Sequence, residues 1–232
     1  MIFFDKGRDE GPSWFCPSAK SHMKIYRSIL CLALAGSSAN AAITAVPDLV
    51  ATGGYNQSNP LGFSISGESA VFMVGTITIA DVAGLNSSFN EANMGQGTTF
   101  NSGVGNGFGI TTLVIAEDGT RGNATEAFAS GVATLTVVKY DQTTGVVTLW
   151  VNPNLAVPEA SNTPSAATTL ASVAGSTYDS LIYRGGDFAA PETEVSFTDF
   201  AVYNGGDTPF IPEPSSLALL ALGGLCVGRR RR

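Results

Sequence analysis

Between residues 42 and 207 no stretch keeps a helical apolar stripe; short runs rich in Val, Ile, Thr and aromatic residues recur instead, separated by Gly, Asn, Asp and Pro. Runs of this length and composition bury themselves as strands, and breaks this frequent are the turns of a sandwich or barrel. The pattern predicts strands over residues 45–51, 61–66, 70–80, 109–117, 131–140, 145–151, 178–184 and 194–203. Glycine-rich passages at 93–109 and 117–123 read as loops. Residues 155–176, low in charge and holding Pro158 and Pro164, read as a long connection with one short helical turn. About 170 residues in this stretch suit one domain.

The clearest local feature is a hairpin over residues 131–151. Val132, Thr134, Thr136, Val138 and Tyr140 share one face, and Ala133, Leu135, Val137 and Lys139 share the other. Asp141-Gln142-Thr143-Thr144-Gly145 forms the turn, with Gly145 placed for a positive φ. The return strand alternates Val147, Leu149 and Val151 against Val146, Thr148 and Trp150. Both faces carry apolar residues, as in strands near the middle of a two-sheet sandwich.

The two ends carry addresses rather than fold. Met23-Lys24-Ile25-Tyr26-Arg27, an apolar stretch and Ala39-Asn40-Ala41 have the layout of a secretory signal peptide, with cleavage expected between Ala41 and Ala42. Residues 1–22 carry three acids and two prolines ahead of that layout and read as lying before the true start at Met23. At the other end Pro212-Glu213-Pro214 stops any helix or central strand. An apolar run follows, and Arg229, Arg230, Arg231 and Arg232 close the chain. From Ser215 to Gly228 that run is about fourteen residues, or roughly 21 Å as a helix, short of a hydrocarbon core of about 30 Å.

This order and spacing resemble the PEP-CTERM sorting signal of exopolysaccharide-producing Gram-negative bacteria. The resemblance implies export through the Sec translocon, cleavage by signal peptidase, and transient inner-membrane anchoring by the short C-terminal transmembrane helix. An exosortase that recognises Pro212-Glu213-Pro214 would then process the tail and leave the protein at the cell surface or in the extracellular matrix. The expected organisation is therefore residues 23–41 as signal peptide, 42–207 as the folded domain, and 208–232 as the sorting signal.

Processing at both ends restricts the chemistry of what remains. Cys16, Cys31, Cys226 and His22 all fall in segments expected to be removed. The mature chain then has no Cys nucleophile, no Ser-His-Asp triad, no disulfide and no Cys- or His-ligated zinc. Residues 42–211 hold fifteen acids against Arg121, Lys139 and Arg184, a net charge of −12. Nucleic acid and anionic lipid are poor partners for such a surface, whereas neutral glycans and divalent cations suit it.

A second resemblance covers the domain. The segments Val137-Val138-Lys139-Tyr140-Asp141 and Val147-Thr148-Leu149-Trp150-Val151-Asn152-Pro153 look like the central hairpin of concanavalin A-like, laminin-G-like jelly rolls. Residues 70–79 and 178–184 resemble strands of the same scheme, and residues 195–202 its closing strand, with Thr198 between Phe197 and Asp199 where the family has Phe-Asp. The resemblance implies an all-β, two-sheet antiparallel jelly-roll sandwich.

Three kinds of site follow as expectations. Tyr140, Trp150 and Tyr183 are candidates to stack on sugar rings, although large aromatics in β proteins more often fill the core or cap its rim. Asp118 and Asp187 are candidate Ca2+ donors on loops, as laminin-G-like domains imply. Glu192-Thr193-Glu194 is the nearest match to the Glu-x-Asp-x-x-Glu strand of laminarinase-type hydrolases, but Phe197 stands where a third acid belongs, so solvated edge acids are the expected reading. Catalytic residues are expected to be none. The chain reads as an exported, non-catalytic protein that binds exopolysaccharide or another glycan. The alternatives are a structural matrix protein without ligand and a glycan-active hydrolase.

Overall fold

The computed structural model describes residues 44–85, 89–106, 112–117, 120–186, 193–204 and 206–210. Among them thirteen strands carry the fold: β1 (Thr44–Ala45), β2 (Leu49–Ala51), β3 (Tyr55–Ser66), β4 (Val71–Ile79), β5 (Phe89–Gln96), β6 (Thr99–Asn106), β7 (Thr112–Glu117), β8 (Thr120–Ala127), β9 (Thr134–Tyr140), β10 (Val146–Val151), β11 (Ala166–Thr169), β12 (Thr177–Gly186) and β13 (Val195–Tyr203). The signal-peptide residues Ala39, Ala41 and Ala42 and the tail residues Pro212, Glu213, Pro214 and Arg229 to Arg232 lie outside the described residues. No helix among the described residues is long and apolar enough to cross a membrane.

The strands form two antiparallel sheets. One is ordered β1-β13-β4-β9-β10-β11 with β2 also paired to β13; the other is ordered β3-β12-β5-β6-β7-β8. The chain changes sheet between β2 and β3, β3 and β4, β4 and β5, β8 and β9, β11 and β12, and β12 and β13, which makes the β-sandwich a jelly roll rather than two meanders. Period-two alternation then assigns the layers. Val71, Met73, Ile77 and Ile79 of β4, Val138 and Tyr140 of β9, and Val147 and Leu149 of β10 point into the core between the sheets. Ala92, Met94, Val104, Leu181 and Tyr183 meet them from the six-stranded sheet.

At the centre, Phe197 and Phe200 of β13 pack on Tyr183 of β12. Tyr183 stacks on Phe197 with centroids 4.8 Å apart, and Phe200 meets Tyr183 edge-on at 5.5 Å. Two residues three apart cannot both face inward on a regular strand. A register shift between Thr198 and Ala201, with Asp199 at φ 56, turns Phe200 inward, and Asp48 Oδ1 accepts from the Asp199 N–H at 3.0 Å. Thr198, where the sequence departs from Phe-Asp, thus lies at a bulge. Gly75 of β4 lies under Phe200, and a Cβ there would come within 2.3 Å of the ring.

One buried side chain joins three loops. Gln142, 1 % exposed, accepts from Glu68 N–H and donates to the Ile65 and Ser176 carbonyls at 3.3 and 3.2 Å. Each neutral bond contributes about 1 kcal/mol, and an orphaned partner costs more. The hairpin forms as the alternation requires, with Tyr140 opposite Val147 and Gly145 at φ 80.

Three expectations are corrected. Residues 93–109 are not a loop: β5 and β6 occupy most of them, because Gly95, Gly103 and Gly105 sit where neighbouring atoms approach closely, so they are packed strand glycines and not turn glycines. Residues 117–123 likewise include the start of β8. The 155–176 connection contains its one short helical turn, Glu159–Ser161, but also β11.

Two outcomes follow. Gly75→Ala is expected to lose about 1–3 kcal/mol in urea unfolding, and Phe200→Leu added to it should recover part of that loss. At the hairpin turn, the Thr143 and Thr144 hydroxyls and N–H groups bond the Asp141 carboxylate and hold its pKa down at about 2. A carboxyl depressed in the folded state contributes stability above its unfolded pKa, near 3.9, and loses it as pH falls through 2. The melting-temperature gap between wild type and Asp141→Asn should therefore be constant above about pH 5 and shrink towards pH 2.

Candidate functional site

Residues of β5, β6 and β12 that do not enter the core form the outer face of the six-stranded sheet. The β5–β6 turn holds this region in register. Gly97 supplies a positive φ of 59 there, its N–H donates to Asp179 Oδ1 at 2.7 Å, and the Ser58 hydroxyl donates to its carbonyl. On the inner side, Asn90 Nδ2 donates to Asn106 Oδ1 at 2.9 Å and Asn90 Oδ1 accepts from the Tyr55 hydroxyl at 3.0 Å, so those buried amides are partnered. Burial pushes the Tyr55 phenol well above its ordinary range.

The outer side differs. Cross-strand pairing puts Arg184 opposite Glu91, and Ile182 opposite Asn93. The next strand offers Gly105 opposite Glu91 and Gly103 opposite Asn93. With no side chains on those glycines, neighbours lie flat. A Cβ on Gly103 would stand 2.2 Å from Asn93 Oδ1, and one on Gly186 would stand 2.6 Å from the Phe89 ring. The Arg184 guanidinium lies 3.7 Å from the Phe100 ring centroid and 4.7 Å from that of Phe89. Cation–π contact of this kind contributes about 0.5–2 kcal/mol and fixes the plane of the fork.

The polar atoms held there are unfinished. Asn93 is 1 % exposed; its amide lies close enough to the Glu91 carboxyl to act on it, but neither Nδ2 nor Oδ1 reaches a partner with hydrogen-bond distance and angle. Arg184 Nη1 is likewise buried and unpartnered. Buried orphans cost about 1–3 kcal/mol each, and a native chain that keeps several on one face keeps them for a ligand, a water or a reaction. Glu91 adds an acceptor. Burial pushes its carboxyl above the usual range, and Arg184, the Asn93 amide and Arg121 pull it back only in part. The group therefore destabilises the fold when charged, the pattern of a residue retained for function.

The candidate stacking aromatics are elsewhere and buried, which corrects that candidacy in favour of core filling. Tyr140 and Tyr183 are fully buried between the sheets. Tyr140 donates to the Ser102 carbonyl at 3.4 Å and packs edge-on against Tyr178 at 5.6 Å. Trp150 is on the outer face of the other sheet, 3 % exposed, with Nε1 donating to the Asn162 carbonyl at 3.2 Å. None has a free ring face, and the three are not brought together. Tyr140 and Trp150 lie on opposite faces of their sheet, which their alternation already implied. Asp118, Asp187 and Glu192 lie outside the described residues; Glu194 is exposed just before β13. No group of three or more His, Cys, Asp or Glu is placed to hold a metal among the described residues.

Asn93, Phe100, Gly103 and Gly105 escaped the sequence reading because 93–109 read as loop. One signal was available: Arg184 is one of three cations in residues 42–211 and sits in a β run.

The sign of the Glu91 shift yields a test. A carboxyl raised in the folded state lowers stability as pH climbs from the ordinary Glu range through its folded value. Glu91→Gln should raise the melting temperature at neutral pH and leave it unchanged near pH 4, read by calorimetry at both.

Comparisons with known proteins bear on the two parts of the chain separately. Residues 210–232 match the PEP-CTERM protein-sorting motif. The fold resembles a sialidase at 6% identity and TM-score 0.51, over 68% of this chain and 15% of that one. It also resembles a structure described by the words "cell entry of botulinum neurotoxin type C is dependent upon interaction with two ganglioside molecules", at 8% identity and TM-score 0.47, over 81% and 47%. A fructosyltransferase from A. japonicus is similar at 13% identity and TM-score 0.46, over 75% and 28%. The chain spans less than half the length of each of these. No curated protein of similar sequence was found. At such identities the likeness is one of fold alone. The protein is a jelly-roll β-sandwich whose C-terminal segment is a PEP-CTERM sorting motif, the mark of an exported protein that an exosortase processes.

Proposed function

We propose that this protein is a non-catalytic glycan binder of the cell surface or exopolysaccharide matrix, and that Arg184, Glu91 and Asn93 on the outer face of the six-stranded sheet form its binding site. The carrying observation is the buried Asn93 amide with both polar atoms unpartnered, beside the orphaned Arg184 Nη1. Together the three side chains offer N–H donors and oxygen acceptors. An anion would meet Glu91, and a cation would meet Arg184. Hydroxyls both donate and accept, so a neutral sugar satisfies the whole set. The net charge of −12 over residues 42–211 also disfavours polyanionic partners.

A non-catalytic role is favoured because glycoside hydrolysis takes two carboxyl groups flanking the bond. Among the described residues the charged groups that act on Glu91 are Arg184 and Arg121, both cations. Export would run through the Sec translocon and signal peptidase, with the tail transiently in the inner membrane.

The test is calorimetric titration of the protein, purified from its host, with the host exopolysaccharide and with neutral oligosaccharides. Arg184→Lys, which keeps the charge but loses the planar fork, and Asn93→Ala should each weaken binding about tenfold or more. Binding that survives both substitutions would remove the site. Absence of binding to any glycan would favour a structural matrix role, and sugar release abolished by Glu91→Gln would make the protein a hydrolase.

A further inference from the structure

The opposite outer face, that of the seven-stranded sheet, carries its own apolar cluster: Phe72, Val74, Val137, Trp150 and Phe210. Four of these belong to β4, β9 and β10. The fifth lies beyond β13 and is the first residue of the sorting-motif match. Phe210 is 2 % exposed, its ring edge-on to Trp150 at 5.4 Å and to Phe72 at 6.2 Å. Its N–H donates to Thr208 Oγ1 at 3.2 Å, and Trp150 is itself fixed by its bond to the Asn162 carbonyl. A segment leaving a domain is loose unless something ties it down, and here a seated aromatic does.

Only Ile211 separates Phe210 from Pro212. Covalent geometry then keeps the Pro212 Cα within about 7 Å of the Phe210 Cα. An enzyme that draws an extended peptide into its active site needs several residues clear of the folded body, and when opening is fast its rate follows the population of the opened form. We propose that Phe210 is a positioning residue of the sorting reaction. Seated against Trp150, it holds Pro212-Glu213-Pro214 too close to the sheet for exosortase, and processing proceeds through the minority of molecules in which Phe210 has left its seat. The seat thus couples tail processing to the state of the folded domain. It is independent of the glycan site, which lies on the other sheet.

The experiment compares processing of the full chain in its exosortase-bearing host, by pulse-labelling and mass spectrometry of the C-terminus. Three forms are compared: wild type, Phe210→Ala, and a chain with a four-residue Gly-Ser spacer after Phe210. The first variant empties the seat; the second keeps the seat and moves the motif away from it. Both are expected to be processed about tenfold faster than wild type, since a buried aromatic ring leaves only a small open fraction. A purely structural role for Phe210 would lower the melting temperature of Phe210→Ala without any gain from the spacer, and that result overturns the proposal. So does processing of both variants at the wild-type rate, or slower. A wild-type chain that is never processed overturns the sorting reading along with it.

Discussion

The sandwich depends on an aromatic contact that joins its two sheets. Phe197 and Phe200 from one sheet close on Tyr183 from the other, and Tyr55 meets Phe197 edge-on at 6.0 Å. Rings this large fit between sheets about 10 Å apart only if the neighbouring strand of their own sheet leaves room for them to lie over it. Gly75 does so beneath Phe200, and Gly185 beneath Tyr55, where a Cβ would stand 2.3 Å from the ring. The bulge at Asp199 brings the second phenylalanine inward. Ring, glycine and bulge are one device, since removing any of them leaves the others clashing or unfilled.

With the interior closed in this way, the two outer faces are left for separate tasks. On the six-stranded sheet, glycines let Asn93 and Phe89 lie flat and leave polar atoms without partners. On the seven-stranded sheet, Phe72, Trp150 and Phe210 make a small dry cluster. One face is destabilised by what it keeps unpaired, the other stabilised by the tail it covers itself with.

Much of this architecture was legible from alternation. The β9–β10 hairpin, its Gly145 turn and its central place in a sheet follow from residues 131–151 alone, because strand parity is local. Aromatic roles were not legible. Tyr140, Trp150 and Tyr183 look alike as exposed platforms or as core, and only the arrival of Ser102, Phe210 and Phe197 from distant strands decides that all three are buried. The glycine-rich segment misled for a related reason. Gly103 and Gly105 carry the composition of a loop, yet they are required by atoms of β5 that are neighbours only after folding.

By itself the sequence determined the class of fold and the sorting motif, because periodicity and the order of residues at the C-terminus need no tertiary information. Tertiary structure alone decided the rest. It paired Arg184 with Glu91, stranded the Asn93 amide, and sat Phe210 on Trp150. Those contacts join residues far apart in the chain, and burial is a property of the neighbours that surround a side chain, which no local pattern encodes.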